Sequence, residues 1–298
     1  MQLEAADKVF GSRKYAEALE LYRKAAEQAE KEKNAQVQVE ALAQVARCHS
    51  LTEKLVEGRA WLERAAKLAS KAEPLGWSRY LGVRGIFERE SGDKAKAKAT
   101  FEEMYAFCAE KALHKRAVDA VHHIAIVVPP AEQPAWALKG IAAAEKLGDD
   151  GWLAVLWNNL GTTYEDLKQY DRMLDAYEKA RVYHYKGADE QRKLVADWAV
   201  AHGLRLAGKP KEARELLEKT LAWAEKRHAK EPGAETLEWV GWCRKDLGQA
   251  LAALGDKAKG LALLREGRKA LVESGIGEWW PEGLKQVDEA IRELENSG

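Results

Sequence analysis

A small residue followed four positions later by a large apolar one recurs seven times along this chain, and the spacing of the recurrence decides what the chain can fold into. The pairs are Ala18/Tyr22, Gly58/Leu62, Ala97/Phe101, Ala137/Ile141, Met173/Tyr177, Ala213/Leu217 and Gly260/Leu264, separated by steps of 40, 39, 40, 36, 40 and 47 residues. Residues four apart share one face of a helix. The small side chain lets another helix approach closely, and the large one fills the space below it. Only Met173 departs from the small-residue rule. Three residues beyond each large one, Ala25, Ala65, Ala144 and Ala180 add a further small contact, with Met104, Thr220 and Gly267 in the remaining repeats. A self-similar period of this length implies stacked helical units that bury their apolar faces against their neighbours, with no single central core.

Composition agrees with an all-α array. Pro is scarce at 7, alternating β-branched runs are absent, and Ala, Leu, Glu and Lys dominate, so propensity favours helix nearly everywhere. The 298 residues would ordinarily suggest about two globular domains, yet no flexible linker or shift of composition divides them. Charged residues reach 32 %, with Lys+Arg 48 balanced by Asp+Glu 48, which suits solvated helix faces and supplies no net field for nucleic acid or an anionic membrane. Cys48, Cys108 and Cys243 are far apart and include no Cys-x-x-Cys pair, so they read as buried free thiols rather than a disulfide framework or zinc site. The N-terminus has early acidic residues and no apolar leader core, and no stretch approaches the roughly 18 apolar residues of a membrane span. A soluble cytoplasmic protein is expected.

The octet WNNLGTTY, residues 157–164, places Trp157, Leu160, Gly161 and Tyr164 at the spacing that opens a tetratricopeptide repeat. Counting back twelve residues from each small position reaches the first-helix Gly or Ala of that consensus, and finds Ala6, Ala46, Gly85, Ala125, Gly161, Ala201 and Gly248. All seven are small. The chain resembles the tetratricopeptide repeat family over nearly its whole length, most strongly in the fifth pair, and its long step resembles the kinesin light chain and bacterial quorum-sensing peptide receptors. The resemblance implies a single α-solenoid domain, 1–298, of about seven antiparallel helix pairs winding into a right-handed superhelix. The pairs are placed near 2–31, 35–70, 75–110, 114–147, 151–186, 189–228 and 233–273, with a capping helix at 281–295.

Punctuation supports these boundaries. Ser91-Gly92-Asp93, Gly148-Asp149-Asp150, Ala207-Gly208-Lys209-Pro210 and Leu254-Gly255-Asp256 each supply a Gly to end one helix and polar residues to start the next. Val127-Val128-Pro129-Pro130 should end the first helix of pair four, because Pro has no N–H and biases the preceding residue away from helix. The step of 47 places extra residues around His228–Gly233, as a loop or a longer first helix in the last pair. Leu284, Val287, Ile291 and Leu294 give the closing helix its apolar stripe, and Trp279 and Trp280 are expected to plug the last pair.

In the family that the chain resembles, function lies on the inward face of the first helices. The register assigns to that face Glu40, Ala43, Arg47 and Ser50 in pair two, Arg79, Gly82, Ile86 and Arg89 in pair three, and Asp119, His122 and Ile126 in pair four. Pair five gives Val155, Asn158, Thr162 and Glu165; pair six Val195, Trp198, His202 and Arg205; pair seven Trp242, Lys245, Gln249 and Ala252. Such a groove can hold an extended or helical peptide, since amides meet its backbone, Trp faces bury apolar anchors and Arg pairs with carboxylates. Asn158 and Asn159 are the most specific candidates, because an amide both donates and accepts. Their Asn-Asn-Leu run looks like that of the kinesin light chain repeats, although no ladder of Asn recurs in the other pairs, and bonding between helices is the alternative role. The carboxylate clamp of chaperone-binding relatives is not reproduced, because Lys245 meets Gln249 where an Asn is required. Arg47, Arg79 and Arg89 form at most a looser basic patch.

Catalytic constellations fail on spacing. His122 and His123 are adjacent and point about 100° apart on a helix, so they cannot chelate one metal as an i, i+4 pair could. No Gly-rich phosphate loop, His-Glu-x-x-His or nucleophile elbow is present, and Asp149-Asp150 suits helix capping. The chain therefore reads as a non-catalytic adaptor or scaffold without a cofactor or metal, binding a protein or peptide partner in its groove. A receptor for a small signalling peptide that changes superhelix compaction is the second reading. A structural module oligomerising through its terminal repeats is the third.

Overall fold

The computed structural model describes residues 2–296. Its contacts group into two compact units, Met1–Asp149 and Asp150–Gly298, each an all-α stack of antiparallel helix pairs. The first unit holds α1 (Gln2–Gly11), α2 (Tyr15–Lys31), α3 (Ala35–Ser50), α4 (Leu55–Leu68), α5 (Pro74–Glu90), α6 (Lys94–Glu110), α7 (His114–Val127) and α8 (Gln133–Leu147). The second holds α9 (Asp150–Asp166), α10 (Tyr170–Lys186), α11 (Glu190–Leu206), α12 (Pro210–Lys230), α13 (Ala234–Ala253), α14 (Lys257–Glu273), α15 (Ile276–Trp279) and α16 (Pro281–Asn296). Within each unit a helix packs on its partner and on the next pair, and the first helices touch one another, α3 on α5, α5 on α7, and α11 on α13.

The small residues of the repeat sit where the register puts them. A Cβ added to Gly85 would lie 2.5 Å from the ring of Phe101, one on Gly161 would meet the ring of Tyr177, and one on Gly248 would lie 2.7 Å from the Gly260 carbonyl. At these three positions the first helix thus carries a notch that receives the large residue, or the backbone, of its second helix. Ala18, Tyr22, Ala97, Phe101, Ala213 and Leu217 are fully buried in these joints, and burying a large apolar side chain contributes roughly 1.5–3 kcal/mol. The three thiols Cys48, Cys108 and Cys243 are free and buried, and burial pushes the first up to about 12 and the second to about 11.

Turns follow two chemistries. Gly92, Gly148, Gly208, Gly255 and Gly275 take positive φ, and Asp93, Asp189 and Asp256 cap the helices that follow them by accepting a backbone N–H three residues on. Arg13, Lys33, Glu53, Ala112 and Lys168 adopt the same left-handed conformation without being Gly, with φ of 55–60°. α7 ends at Val127, where Val128 turns extended before the two prolines. The extra residues near His228 lengthen α12, the second helix of pair six, to 21 residues and α13 to 20, so most of the inserted chain is helix. One additional turn, α15, precedes the closing helix. Val287 of α16 is buried with Trp242, Leu271 and Ile276, and Trp280 packs on Trp242 at 5.3 Å between ring centroids while remaining 39 % exposed. The expectation for Trp279 lies outside the described side chains.

Candidate functional site

In the first unit, α1, α3, α5 and α7 converge on a cavity of about 270 Å³. Its charged wall comes from the first helices at groove positions and beside them. Arg47 donates to Ser50 Oγ at 2.6 Å and pairs with Glu90 at 3.0 Å, and Arg116 is held by buried Glu40 at 2.7 Å. Burial pushes Arg116 down to about 10, with Arg79 adding to the effect. Arg79 is less well satisfied. It approaches Asp7 and Glu40 only at 3.6 and 3.7 Å, and its Nε is buried without a hydrogen bond. Asp7 is engaged elsewhere, accepting from Tyr22 Oη at 2.6 Å while Gln44 donates to the same hydroxyl at 3.0 Å.

His123 completes that wall. Its ring stacks on Phe101 with centroids 4.7 Å apart, its Nε2 lies 3.5 Å from Asp119, and its Nδ1 has no partner. Burial drives its pKa down to about 3, aided by His122, Arg89 and Arg47 against the opposing pull of Asp119, so the imidazole is neutral at pH 7. Burial likewise lowers His122 and Arg89, the second helped by Arg47. Phe10, Ile86 and Met104 supply the apolar floor. The arrangement offers one guanidinium N–H without a hydrogen bond and one imidazole nitrogen without a partner beside apolar surface, which matches a peptide group carrying an apolar side chain.

The second unit gathers its polar groove residues into a closed network instead. Asp246, fully buried on α13, accepts from Trp198 Nε1 at 2.9 Å, Arg205 Nε at 2.9 Å and Lys245 Nζ at 3.1 Å, and lies 3.1 Å from His202 Nδ1. His202 Nε2 meets Glu165 at 2.9 Å, and Tyr177 donates to the other Glu165 oxygen at 3.0 Å. Burial alone would raise the Asp246 carboxyl, but Lys245, His202 and Arg205 hold it well below its ordinary range. Burial alone would lower His202, but Asp246 and Glu165 raise it, because each of its ring nitrogens faces a carboxylate oxygen. Burial is the larger influence on Lys245 and lowers it. The ring of Trp198 stacks on His202 at 5.1 Å.

Groove candidates from the sequence therefore divide. Arg47 and Arg79 line the first-unit cavity, with Arg89 and His122 close by in the same charge field. Trp198, His202, Arg205 and Lys245 meet on Asp246, and their donors are occupied within the fold. Trp242 donates to Glu238 at 3.2 Å and packs in the core, and Gln249 Oε1 is buried without a donor. Thr162 Oγ1 lies 3.4 Å from both the Asn158 carbonyl and Tyr177 Oη. The half-buried Asn158 side chain makes no hydrogen bond, whereas Asn159 is engaged. Sequence reasoning passed over Arg116 and His123 as cavity residues and Asp246 as the hub of the network. Asp246 occupies the α13 position that Asn159 has in α9, flanked by Trp242, Cys243 and Leu247, and an acid inside so apolar a helix face was the available signal.

No protein-family model matches the sequence, and neither does any curated protein. Solved structures do match its fold. A signal transduction ATPase with numerous domains, carrying a tetratricopeptide repeat sensor, from Pyrococcus horikoshii superposes with TM-score 0.73 at 13 % identity, covering 96 % of this chain and 43 % of that one. BtubC (BKLC) from P. vanneervenii gives TM-score 0.59 at 14 % identity over 69 % of this chain and 89 % of that one. The Rap conjugation gene regulator of plasmid pLS20, solved with the Phr* peptide, gives 0.60 at 16 % identity, covering 93 % and 74 %. The chain thus has the tetratricopeptide-like all-α solenoid fold.

Proposed function

We propose that this protein is a non-catalytic binding scaffold whose first-unit cavity takes a peptide segment of a protein partner. One observation carries the reading: a cavity of about 270 Å³ on the first-helix face is lined by Arg79, whose Nε has only a long ion pair to Glu40 and no hydrogen bond, and by His123, whose Nδ1 has no hydrogen bond, next to Phe10, Ile86 and Met104. Buried polar groups left unpaired cost about 1–3 kcal/mol each, and a peptide that met both would regain that free energy on binding. The apolar floor would supply the rest by covering a side chain. Asn158, whose side-chain amide makes no hydrogen bond, is a separate candidate within the second unit. Capture of a Phr* peptide by a regulator that shares the fold is compatible with this chemistry.

A displayed peptide library selected on the wild-type protein tests the proposal, with the recovered peptides measured by calorimetry against Arg79→Met and Ile86→Glu. Both variants should lose about tenfold or more in affinity, equivalent to about 1.4 kcal/mol. Circular dichroism and thermal unfolding must first show that both variants fold like wild type. Peptides that bind the variants equally well would place recognition elsewhere. Small-angle scattering with a bound peptide separates the two functional readings: compaction indicates a peptide-responsive receptor, and an unchanged curve indicates a scaffold.

A further inference from the structure

A second cavity, of about 320 Å³, lies in the second unit between the first turn of α11 and the last turns of α12. Its walls hold donors that the fold leaves unused. Arg227 Nε and Nη1 and Gln191 Nε2 are shielded from solvent and bonded to nothing, and Arg227 makes no ion pair among the described residues. That sets it apart from other partly buried arginines of the chain, since Arg47, Arg84, Arg116, Arg205 and Arg244 are each held by a carboxylate. A half-buried cation without a counter-ion is destabilising, and a position in the last turn of a helix explains an exposed cation better than a shielded one.

The acids around the cavity do not fill the vacancy. Asp189 caps α11 through the Arg192 N–H at 3.1 Å and pairs with the Arg192 side chain at 3.3 Å. Glu190 pairs with Lys193 at 2.8 Å, and Glu231 faces Lys230 at 3.9 Å. Lys226, also lining the cavity, has no partner, so the uncommitted groups there are two cations and an amide. Beside them the ring of Trp223 gives one planar apolar wall.

We propose that this cavity is an anion-binding site distinct from the peptide cavity, taking a small ligand that joins an oxyanion, carboxylate or phosphate, to a planar apolar group. Arg227 and Gln191 donate to the oxyanion, Lys226 adds positive potential at the mouth, and Trp223 covers the apolar part. At this volume the ligand is the size of an aromatic acid or a phosphate monoester.

Phenylacetate, phenyl phosphate and the neutral phenylacetamide, titrated into the full chain by calorimetry, provide the probes. At least one of the two anions should bind, the stronger naming the source of the oxyanion, with phenylacetamide weaker by about tenfold or more. Arg227→Met should weaken the anion by about tenfold or more and Trp223→Ala should weaken it less. In the absence of ligand, Arg227→Met should leave the thermal midpoint unchanged or raise it, because it removes an unpaired cation. Three results would each overturn the assignment: no saturable binding of either anion, equal binding of phenylacetamide, or undiminished binding to a folded Arg227→Met protein. The peptide cavity is untouched by these variants, so failure here leaves the selection experiment standing.

Discussion

Asp246 is the hub of the buried polar network in the second unit. It is fully buried, yet it is ionised because four donors from α11 and α13 converge on it. Removing one partner of a buried ion cluster leaves the others charged and unsolvated, which costs roughly 3–5 kcal/mol. Asp246→Asn should therefore lower the unfolding free energy by that amount in urea titration, and a loss below about 1 kcal/mol would show that water already screens Lys245 and Arg205. Gly161 makes the opposite kind of demand, for absence of volume. Its Cβ position is occupied by the Tyr177 ring, so Gly161→Ala should cost about 1–3 kcal/mol through overpacking. Tyr177→Leu in that background should recover part of the loss, and strict additivity of the two changes would show that they do not share the joint. Gly161 was legible in the sequence because packing repeats, and seven equivalent positions reported the same steric rule. Asp246 was harder to read, because an Asp beside a Lys on a helix ordinarily reads as solvated and no repeat marks it; the apolar neighbours Trp242, Cys243 and Leu247 were its one signal.

Helix pairs were readable for a related reason: the period of about 40 residues is imposed by backbone approach, and α1 to α14 alternate as first and second helices. The insertion near His228 was harder to assign. Lys226, Arg227, His228 and Lys230 are all compatible with helix, so α12 simply continues to Lys230 until Pro232 and Gly233 stop it. Connections show where the elements remain unoptimised. Five turns hold a non-Gly residue in the left-handed region at φ of 55–60°, while five others use Gly for positive φ. Ala112, between α6 and α7, is the simplest case because its side chain is only a methyl. Relief of left-handed strain is about 1–2 kcal/mol, offset by about 0.4–1 kcal/mol of added unfolded-state entropy. Ala112→Gly should therefore stabilise the protein by roughly 0.5–1 kcal/mol in chemical denaturation. A destabilisation of the same size would mean that the Ala112 methyl contributes packing that outweighs its strain.

Across the whole chain the formal charge is zero, so its response to pH is set by local titrations rather than by bulk repulsion. The buried histidines pull in opposite directions. In the first unit His122 and His123 are held neutral by burial, the latter down to about 3, whereas an unfolded histidine takes up its proton near about 6.5. Acidification through that value protonates the unfolded state first, so the first unit must lose stability as pH falls. In the second unit His202 is raised by Asp246 and Glu165, so its folded state holds the proton more tightly than the unfolded one. Its contribution is fully present below about pH 6.5 and is lost as pH rises through the higher folded value. Opening free energies from hydrogen exchange, corrected for intrinsic rates and followed from about pH 8 to pH 5, should thus fall for α5 to α7 and rise for α11 and α13. His123→Phe should flatten the first trend and His202→Gln the second. A common slope in both units, unaffected by either substitution, would mean that surface carboxylates and not these histidines govern the response.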